Sequence, residues 1–446
     1  MHRLSSPRRC LSLGFAALCS LVVVSISSAD VPPPIIGASA IYDPIDDRLI
    51  VFGGNNLNDV WQVALPSGVW TQLNPAGPPP SRQKHTAVYD PVRHRMIVFG
   101  GVGTGNVSYN DVWALSMTGT PTWTQIHPTT SAGSPPIRDG HAAAYDPIGD
   151  QMIIFGGLGR PFSLLSDAWA LPLSGTPEWL PLSPMNAPEG RYGHGGAYDA
   201  TRSRFLSFGG NVEPDPAFTS QTLLLEMDGS PAWTQVNSGA SPHARSLAGF
   251  VFDDVGDRAL MFGGYYYCYW NCGPLIRYND TWSLSASGEW SQIFPGGPPP
   301  SPRHMAAVAI DAVNRRMFVF GGNEAAGASN ELWVLSLGAE PSWSQLIPST
   351  AGVEAQASNL QLAVSPNPAR NTVMIDYAMS QAGTARVSVR DVQGRVIARL
   401  QDGWKEPGAH RVSWDGPRSQ ATRPGIYFAR IETSAGTVSR RFVVTK

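Results

Sequence analysis

The sequence predicts an all-β chain built from one repeated four-stranded unit, on three observations. The 446 residues include 46 Gly, 39 Pro and 14 Trp but only 15% charged residues, a balance that favours short strands and tight turns over helices. The tripeptide Phe-Gly-Gly begins at Phe52, Phe99, Phe155, Phe208, Phe262 and Phe320, at spacings of 47, 56, 53, 54 and 58 residues. Each copy lies in the same frame: an upstream strand ending at Asp43, Asp90, Asp146, Asp199, Asp253 or Asp311, an apolar run into the glycines, then "NDVW" or "SDAW", then a segment of the "WTQL" or "WSQI" kind. A four-stranded sheet of about 50 residues leaves both faces wet until neighbours stack on it, so six copies predict a six-bladed β-propeller.

The N-terminus sets the compartment. Arg3, Arg8 and Arg9 precede an apolar run from Leu11 to Ile26, and Ser27-Ser28-Ala29 offers small residues for cleavage, so residues 1–29 read as a secretory signal peptide. The run is short, serine-interrupted and followed by "DVPPP", which argues against a stable membrane span. Cys10 and Cys19 leave with the signal, and in an exported chain the remaining Cys268 and Cys272 read as a disulfide.

Residues 30–350 hold the repeats. The first strand of each unit is rich in small residues ("HAAAYD", "HGGAYD", "MAAVAID"), as crowding at an axis requires. The second ("RMIVFGG", "QMIIFGG", "RMFVFGG") is continuously apolar, as a strand sandwiched between blades should be. The glycines permit a turn that a Cβ would block. Third and fourth strands carry tryptophans, Trp61, Trp113, Trp169, Trp282 and Trp333 in one slot and Trp70, Trp123, Trp179, Trp233, Trp290 and Trp343 in the other. At ~25 cal/mol/Å² each buried ring contributes at most ~4–6 kcal/mol, so these rings are expected between blades rather than on a sugar.

The paired glycines, the Tyr-Asp strand ends and the spaced tryptophans resemble the kelch-repeat β-propellers over residues 36–348. Blade four departs from the pattern, with Leu223 in the strand-three tryptophan slot. The units begin and end in step with the chain, so closure by a borrowed strand is not required.

An arginine stands eight residues before the first-strand aspartate in five blades: Arg82, Arg138, Arg191, Arg245 and Arg303, with Ile35 in the slot of blade one. The resemblance places this slot near the channel mouth, where a ring of guanidiniums would grip a carboxylate, sulfate or acidic peptide; alternatively, each pairs with a neighbouring blade's acid or caps a loop. Three residues on stand His85, His141 and His194, with Ala248 and Ala306 in matching slots, and these histidines read as hydrogen-bonded core residues rather than metal ligands. The copper oxidases built on kelch propellers need two histidines, two tyrosines and a thioether-linked cysteine at one centre, whereas both cysteines here share one loop, so no metal or other cofactor is expected. The Asp-rich "DPIDDR" is one of six equivalent hairpins whose siblings lack its carboxylates, so turn chemistry explains it better than calcium.

The segment "GGYYYCYWNCGP" lengthens the loop after the fifth Phe-Gly-Gly. A disulfide between Cys268 and Cys272 closes too short a loop to add more than ~2 kcal/mol, so it would serve to shape the loop itself. So held, Tyr265, Tyr266, Tyr267, Tyr269 and Trp270 would form a contact surface for sugar or protein, or else cover the blade edge.

After a linker at 351–359 the character changes. From Asp30 to Thr350 there are 16 Lys and Arg against 27 Asp and Glu, a balance of −11; from Leu360 to Lys446 there are 13 against 6, a balance of +7. The basic residues of the second part alternate with apolar ones instead of clustering, which argues against nucleic acid. Residues 360–446 read as short alternating strands of a small immunoglobulin-like β-sandwich. Pro366-Asn367-Pro368, Asp391, Gly394-Arg395, Trp414-Asp415-Gly416, Gly425-Ile426-Tyr427-Phe428 and the closing "VVTK" resemble the type IX secretion sorting domain and the related fold of flagellar hook-capping proteins. That resemblance implies export through the periplasm to the cell surface or medium, with the secretion machinery as one partner. The expected function is recognition of a protein or glycan without catalysis. The competing expectation is a carbohydrate-active or sugar-isomerising enzyme, which would need a shifted acid–base pair at the channel mouth.

Overall fold

The computed structural model describes residues 31–346 and 361–445, apart from 66, 130–132, 214–216, 237–238, 268–273, 380, 392–394, 417–421 and 434–435. Residues 1–29, expected to be a signal peptide, residues 351–359, expected to be a linker, and Cys268, Tyr269, Trp270 and Cys272 therefore lie outside the described residues.

Each Phe-Gly-Gly repeat forms one four-stranded antiparallel sheet with its strands in chain order, the first being Ser39–Asp43, Arg48–Phe52, Val60–Ala64 and Val69–Leu73. Five more sheets of the same order follow, and no described strand of one terminus is lent to the sheet of the other. The innermost strands neighbour one another in cyclic order, that of the sixth sheet, Ala307–Asp311, lying beside Ser39–Asp43. The arrangement is a β-propeller.

Two closed rings of contacts explain why the repeat has its sequence. The phenylalanine of each Phe-Gly-Gly packs on the fourth-strand tryptophan of the next blade: Phe52 on Trp123 at 4.8 Å between centroids, Phe99 on Trp179 at 4.8 Å, Phe155 on Trp233 at 4.5 Å, Phe208 on Trp290 at 4.9 Å and Phe262 on Trp343 at 5.0 Å. Phe320 on Trp70 at 4.9 Å closes the circle. The second ring lies at the axis, where Lys84 donates its backbone N–H to Gly37 O (2.8 Å), Gly140 to Lys84 O (2.9 Å), Gly193 to Gly140 O (2.8 Å), Leu247 to Gly193 O (2.6 Å), Met305 to Leu247 O (3.0 Å) and Gly37 to Met305 O (3.0 Å). This ring encircles one end of the central channel.

The glycine pair serves the same closure. Gly53 and Gly54 have φ of +66° and +89°, and a Cβ on Gly53 would lie 2.8 Å from the Arg82 carbonyl oxygen, which accepts the Gly54 N–H from across the blade boundary. At the opposite end the first-strand aspartates hold the hairpins as the turn reading expects. Asp43 accepts from the Ile45 N–H at 3.0 Å and from Arg48 Nε at 2.9 Å, and Asp90, Asp146, Asp199, Asp253 and Asp311 do the equivalent.

Residues 361–445 form two antiparallel sheets, one of Gln361–Ser365, Val373–Met379 and Gly408–Trp414, the other of Val396–Lys405, Gly383–Asp391, Gly425–Thr433 and Gly436–Val444. Side chains from both sheets, among them Ile375, Tyr377, Val389, Trp414, Ile431 and Phe442, share one buried core.

Candidate functional site

The five arginines are interior, each at most 1% exposed, and this corrects the expectation that they face a ligand. Arg82 donates to both oxygens of Asp111 (2.7 and 3.0 Å), to Gly100 O and to Pro80 O. Arg138 does the same with Asp167 and Arg245 with Asp280, while Arg303 donates to one oxygen of Glu331 and forms an ion pair with Glu324. The acid belongs to the arginine's own blade, not to its neighbour, and it also accepts from the third-strand tryptophan, as Asp111 does from Trp113 Nε1 at 2.7 Å. Tyrosines stack on two of these cations, Tyr109 on Arg82 at 4.5 Å and Tyr278 on Arg245 at 3.9 Å. Buried, and paired with an acid in four of the five blades, these groups are framework.

Blade four breaks the pairing. Arg191 finds Gln221 Oε1 at 2.9 Å where its siblings find a carboxylate, and burial pushes its guanidinium down to about 10. Gln221→Glu, which supplies the missing charge in nearly the same volume, is expected to stabilise the fold by about 1–2 kcal/mol, read as a higher denaturant midpoint. An unchanged or lower midpoint would show that Arg191 is already satisfied.

The histidines are core residues. His85 Nε2 lies 2.8 Å from Ser39 Oγ, His141 Nε2 lies 2.7 Å from Thr86 Oγ1, and His194 Nε2 lies 3.1 Å from Phe155 O. Each stacks edge-on against the preceding blade's phenylalanine, and each Nδ1 is buried without a described hydrogen-bond partner. Burial, with an added push from the nearby arginine, lowers His85 and His194 to about 3 and His141 in the same direction.

The residues between arginine and histidine break the repeat, and they form the mouth on the side of the axial ring. Lys84 sits in that ring with its amine 5.3 Å from the centroid of the Tyr192 ring. Burial pushes the Lys84 amine down, Asp139 opposing and Arg160 reinforcing; burial pushes the Asp139 carboxyl up, against Lys84 and against Arg160, whose Nη2 is 3.3 Å away. His304, 4.6 Å from the Tyr265 ring centroid, is lowered by burial to about 4. The sequence nominated no carboxylate here; the signal it carried was a slot that changes chemistry while its neighbours repeat.

The inserted loop adds an aromatic rim to the same face. Tyr265–Tyr266 pairs with Ile276–Arg277 as a short hairpin, and Phe218 from blade four meets Tyr265 at 5.3 Å and Tyr266 at 5.1 Å. Exposed His243 sits 5.7 Å from Tyr266 and 6.3 Å from Tyr278. Tyr267 is half-buried beside them. The structure thus brings Tyr265 and Tyr266 together with partners that the sequence did not point to, Phe218 and His243. At the opposite end, Asp43, Asp46 and His94 cluster, but Arg48 already bridges both carboxylates at 2.9 and 3.0 Å, so the group fits an ion pair better than a metal.

The KLHDC2/KLHL20/DRC7 Kelch-repeats domain matches residues 20–194 and again 195–369. The chain belongs to the kelch-repeat family. Curated relatives include a putative adagio-like protein 2 from rice (Oryza sativa subsp. japonica), 30% identical over 52% of this chain, and tip elongation aberrant protein 1 from fission yeast (Schizosaccharomyces pombe), 29% identical over 44%. The match spans 38% of the rice protein and 17% of the yeast protein, so what those whole proteins do does not transfer. Among solved structures, that of YjhT superposes with a TM-score of 0.55 at 14% identity over 70% of this chain and 98% of its own, a likeness of fold alone. Residues 363–445 match the secretion system C-terminal sorting domain, which marks this kelch protein for export by type IX secretion to the cell surface or the extracellular space. Among the described residues no helix is long and apolar enough to cross a membrane.

Proposed function

We propose that this protein is an exported interaction protein whose six-bladed kelch propeller recognises a protein or carbohydrate ligand with the aromatic rim at the ring-side mouth. An immunoglobulin-like sandwich, of the kind found in flagellar hook-capping proteins, delivers it through the periplasm to the secretion machinery. The observation that carries the reading is the convergence of Phe218, Tyr265, Tyr266, Tyr278 and His243 from two blades on one half-exposed face. Stiff amphipathic rings give contact area at little entropic cost, on sugar faces and protein surfaces alike. Tyr267, half-buried, adds a further ring from the same loop. The mature protein probed against glycan and protein arrays is expected to give hits that Phe218→Ala and Tyr266→Ala each weaken by about tenfold or more without lowering the melting temperature. Hits indifferent to both variants place recognition elsewhere.

Lys84 and Asp139 favour a second reading, a sugar-converting enzyme. Burial holds both nearer neutrality than usual, as an acid–base couple requires, and Tyr192 beside Lys84 gives a ring against which a sugar would stack. Turnover of a sugar panel by the wild type that Lys84→Met abolishes would favour it over simple binding.

A further inference from the structure

The end of the channel away from the axial ring is apolar and covered. A cavity of about 360 Å³ lies there, walled by first-strand side chains such as Tyr42, Val88, Ala144 and Phe252, and lined from the other side by Ile426 and Phe428 of the sorting domain.

Strand periodicity makes the cover specific. In Gly425–Thr433 the residues Tyr427, Ala429 and Ile431 enter the sandwich core, so Ile426, Phe428 and Arg430 point out of it. An outward phenylalanine on a free sandwich would meet water, yet Phe428 is 2% exposed and Arg430 9%. Arg430 donates to the Val313 carbonyl of blade six and pairs with Glu432 at 2.7 Å. The charges across this boundary are mixed: Asp311 and Arg316 both act on Arg430, and Arg395 and Asp391 both act on Asp254.

Asp254 breaks the repeat. The residue after the first-strand aspartate is Pro44, Pro91, Pro147, Ala200, Asp254 and Ala312 in blades one to six, so one carboxylate stands in an otherwise apolar ring, and it lines the cavity. Five of six blades show that the fold needs no acid there. Burial, then the neighbouring Asp253 and Asp199, raise its carboxyl to about 7; Arg395 opposes them and Asp391, its ion-pair partner, adds to them. A cation brought to this position relieves that crowding of negative charge.

We propose that this mouth is a second ligand site, for an apolar group carrying a cation, and that in the full-length chain the sorting domain occupies it. The occupant shows half of that chemistry, Ile426 and Phe428 filling the apolar wall, and Asp254, the one carboxylate among the lining residues, supplies the other half. The site is masked during delivery and opens when the sandwich is displaced or removed. It lies at the opposite end from the aromatic rim, so neither reading depends on the other.

The test uses the full mature chain and 2-phenylethylammonium as probe, followed by calorimetry, with phenylacetate as the control of opposite charge. Wild type is expected to bind neither. Phe428→Gln, which places an uncharged polar group against the apolar wall from outside the sandwich core, is expected to bind the ammonium at least about tenfold more tightly than wild type, and Asp254→Asn in that background to lose about tenfold again. Arg430→Gln, which breaks the Val313 contact, is expected to behave as Phe428→Gln does, and serves should that variant fail to fold. The proposal is overturned if wild type and both opened variants bind alike, if phenylacetate binds as well as the ammonium, or if Asp254→Asn changes nothing.

Discussion

Asp111→Ala is expected to destabilise the propeller by about 3–5 kcal/mol, the cost of stranding one member of a buried ion pair. Arg82 is wholly buried, and Asp111 satisfies two of its N–H groups as well as Trp113 Nε1. With the carboxylate gone, the guanidinium keeps only the carbonyls of Gly100 and Pro80 and the Tyr109 ring, and it has no route to water. The effect belongs to the imbalance and not to the pair: Arg82→Met combined with Asp111→Leu, which removes both charges at similar volume, is expected to recover most of the loss. Denaturant unfolding of the three variants measures this. A single variant within about 1 kcal/mol of wild type would show that water reaches the arginine.

Acid is expected to unfold the protein well above the range in which carboxylates titrate. His85, His141 and His194 are held neutral in the fold, two of them at about 3, while in the unfolded chain each protonates near ~6.5. Between those values the unfolded state binds protons that the native state refuses, so stability is full above about pH 6.5 and falls as pH drops below it. Three such sites remove ~4 kcal/mol for each pH unit below about 6, at ~1.4 kcal/mol per unit and site. Asp254 opposes this: its carboxyl, raised to about 7, takes up its proton more readily folded than unfolded and adds stability as pH falls from 7 towards 4. Asp139, whose carboxyl burial also raises, acts with Asp254, while His304, lowered to about 4, joins the three histidines. Denaturant midpoints at pH 7.5, 6 and 5 test the sum. Equal midpoints would mean that the axial histidines are hydrated.

The scaffold could be read from the sequence because each of its parts is repeated. Phe-Gly-Gly, the first-strand aspartate and the fourth-strand tryptophan recur at fixed offsets, and each is a contact made once per blade. The arginine partner was within reach of the same logic. Asp111 and Asp167 each follow their arginine by 29 residues, and blade four, alone in carrying Gln221, is the one whose arginine has no acid. The sites were hidden for the opposite reason. Lys84 and Asp139 meet across two blades, Phe218 reaches a loop one blade on, and Phe428 covers a channel formed more than 100 residues earlier, so no period links them. Only the opposed charges of the two parts, −11 and +7, hinted that they would face each other.

The axial ring has an electrical consequence. Its six amides run head to tail around the axis, so their dipoles circulate and cancel, unlike the aligned peptides of a helix, whose end acts as a fractional charge. The backbone at this gate therefore presents no pole to an approaching ion. Of the six residues that supply those amides, Gly37, Lys84, Gly140, Gly193, Leu247 and Met305, one alone bears a charge. The charge carried by the ring itself thus rests on a single side chain whose removal leaves every bond of the ring in place.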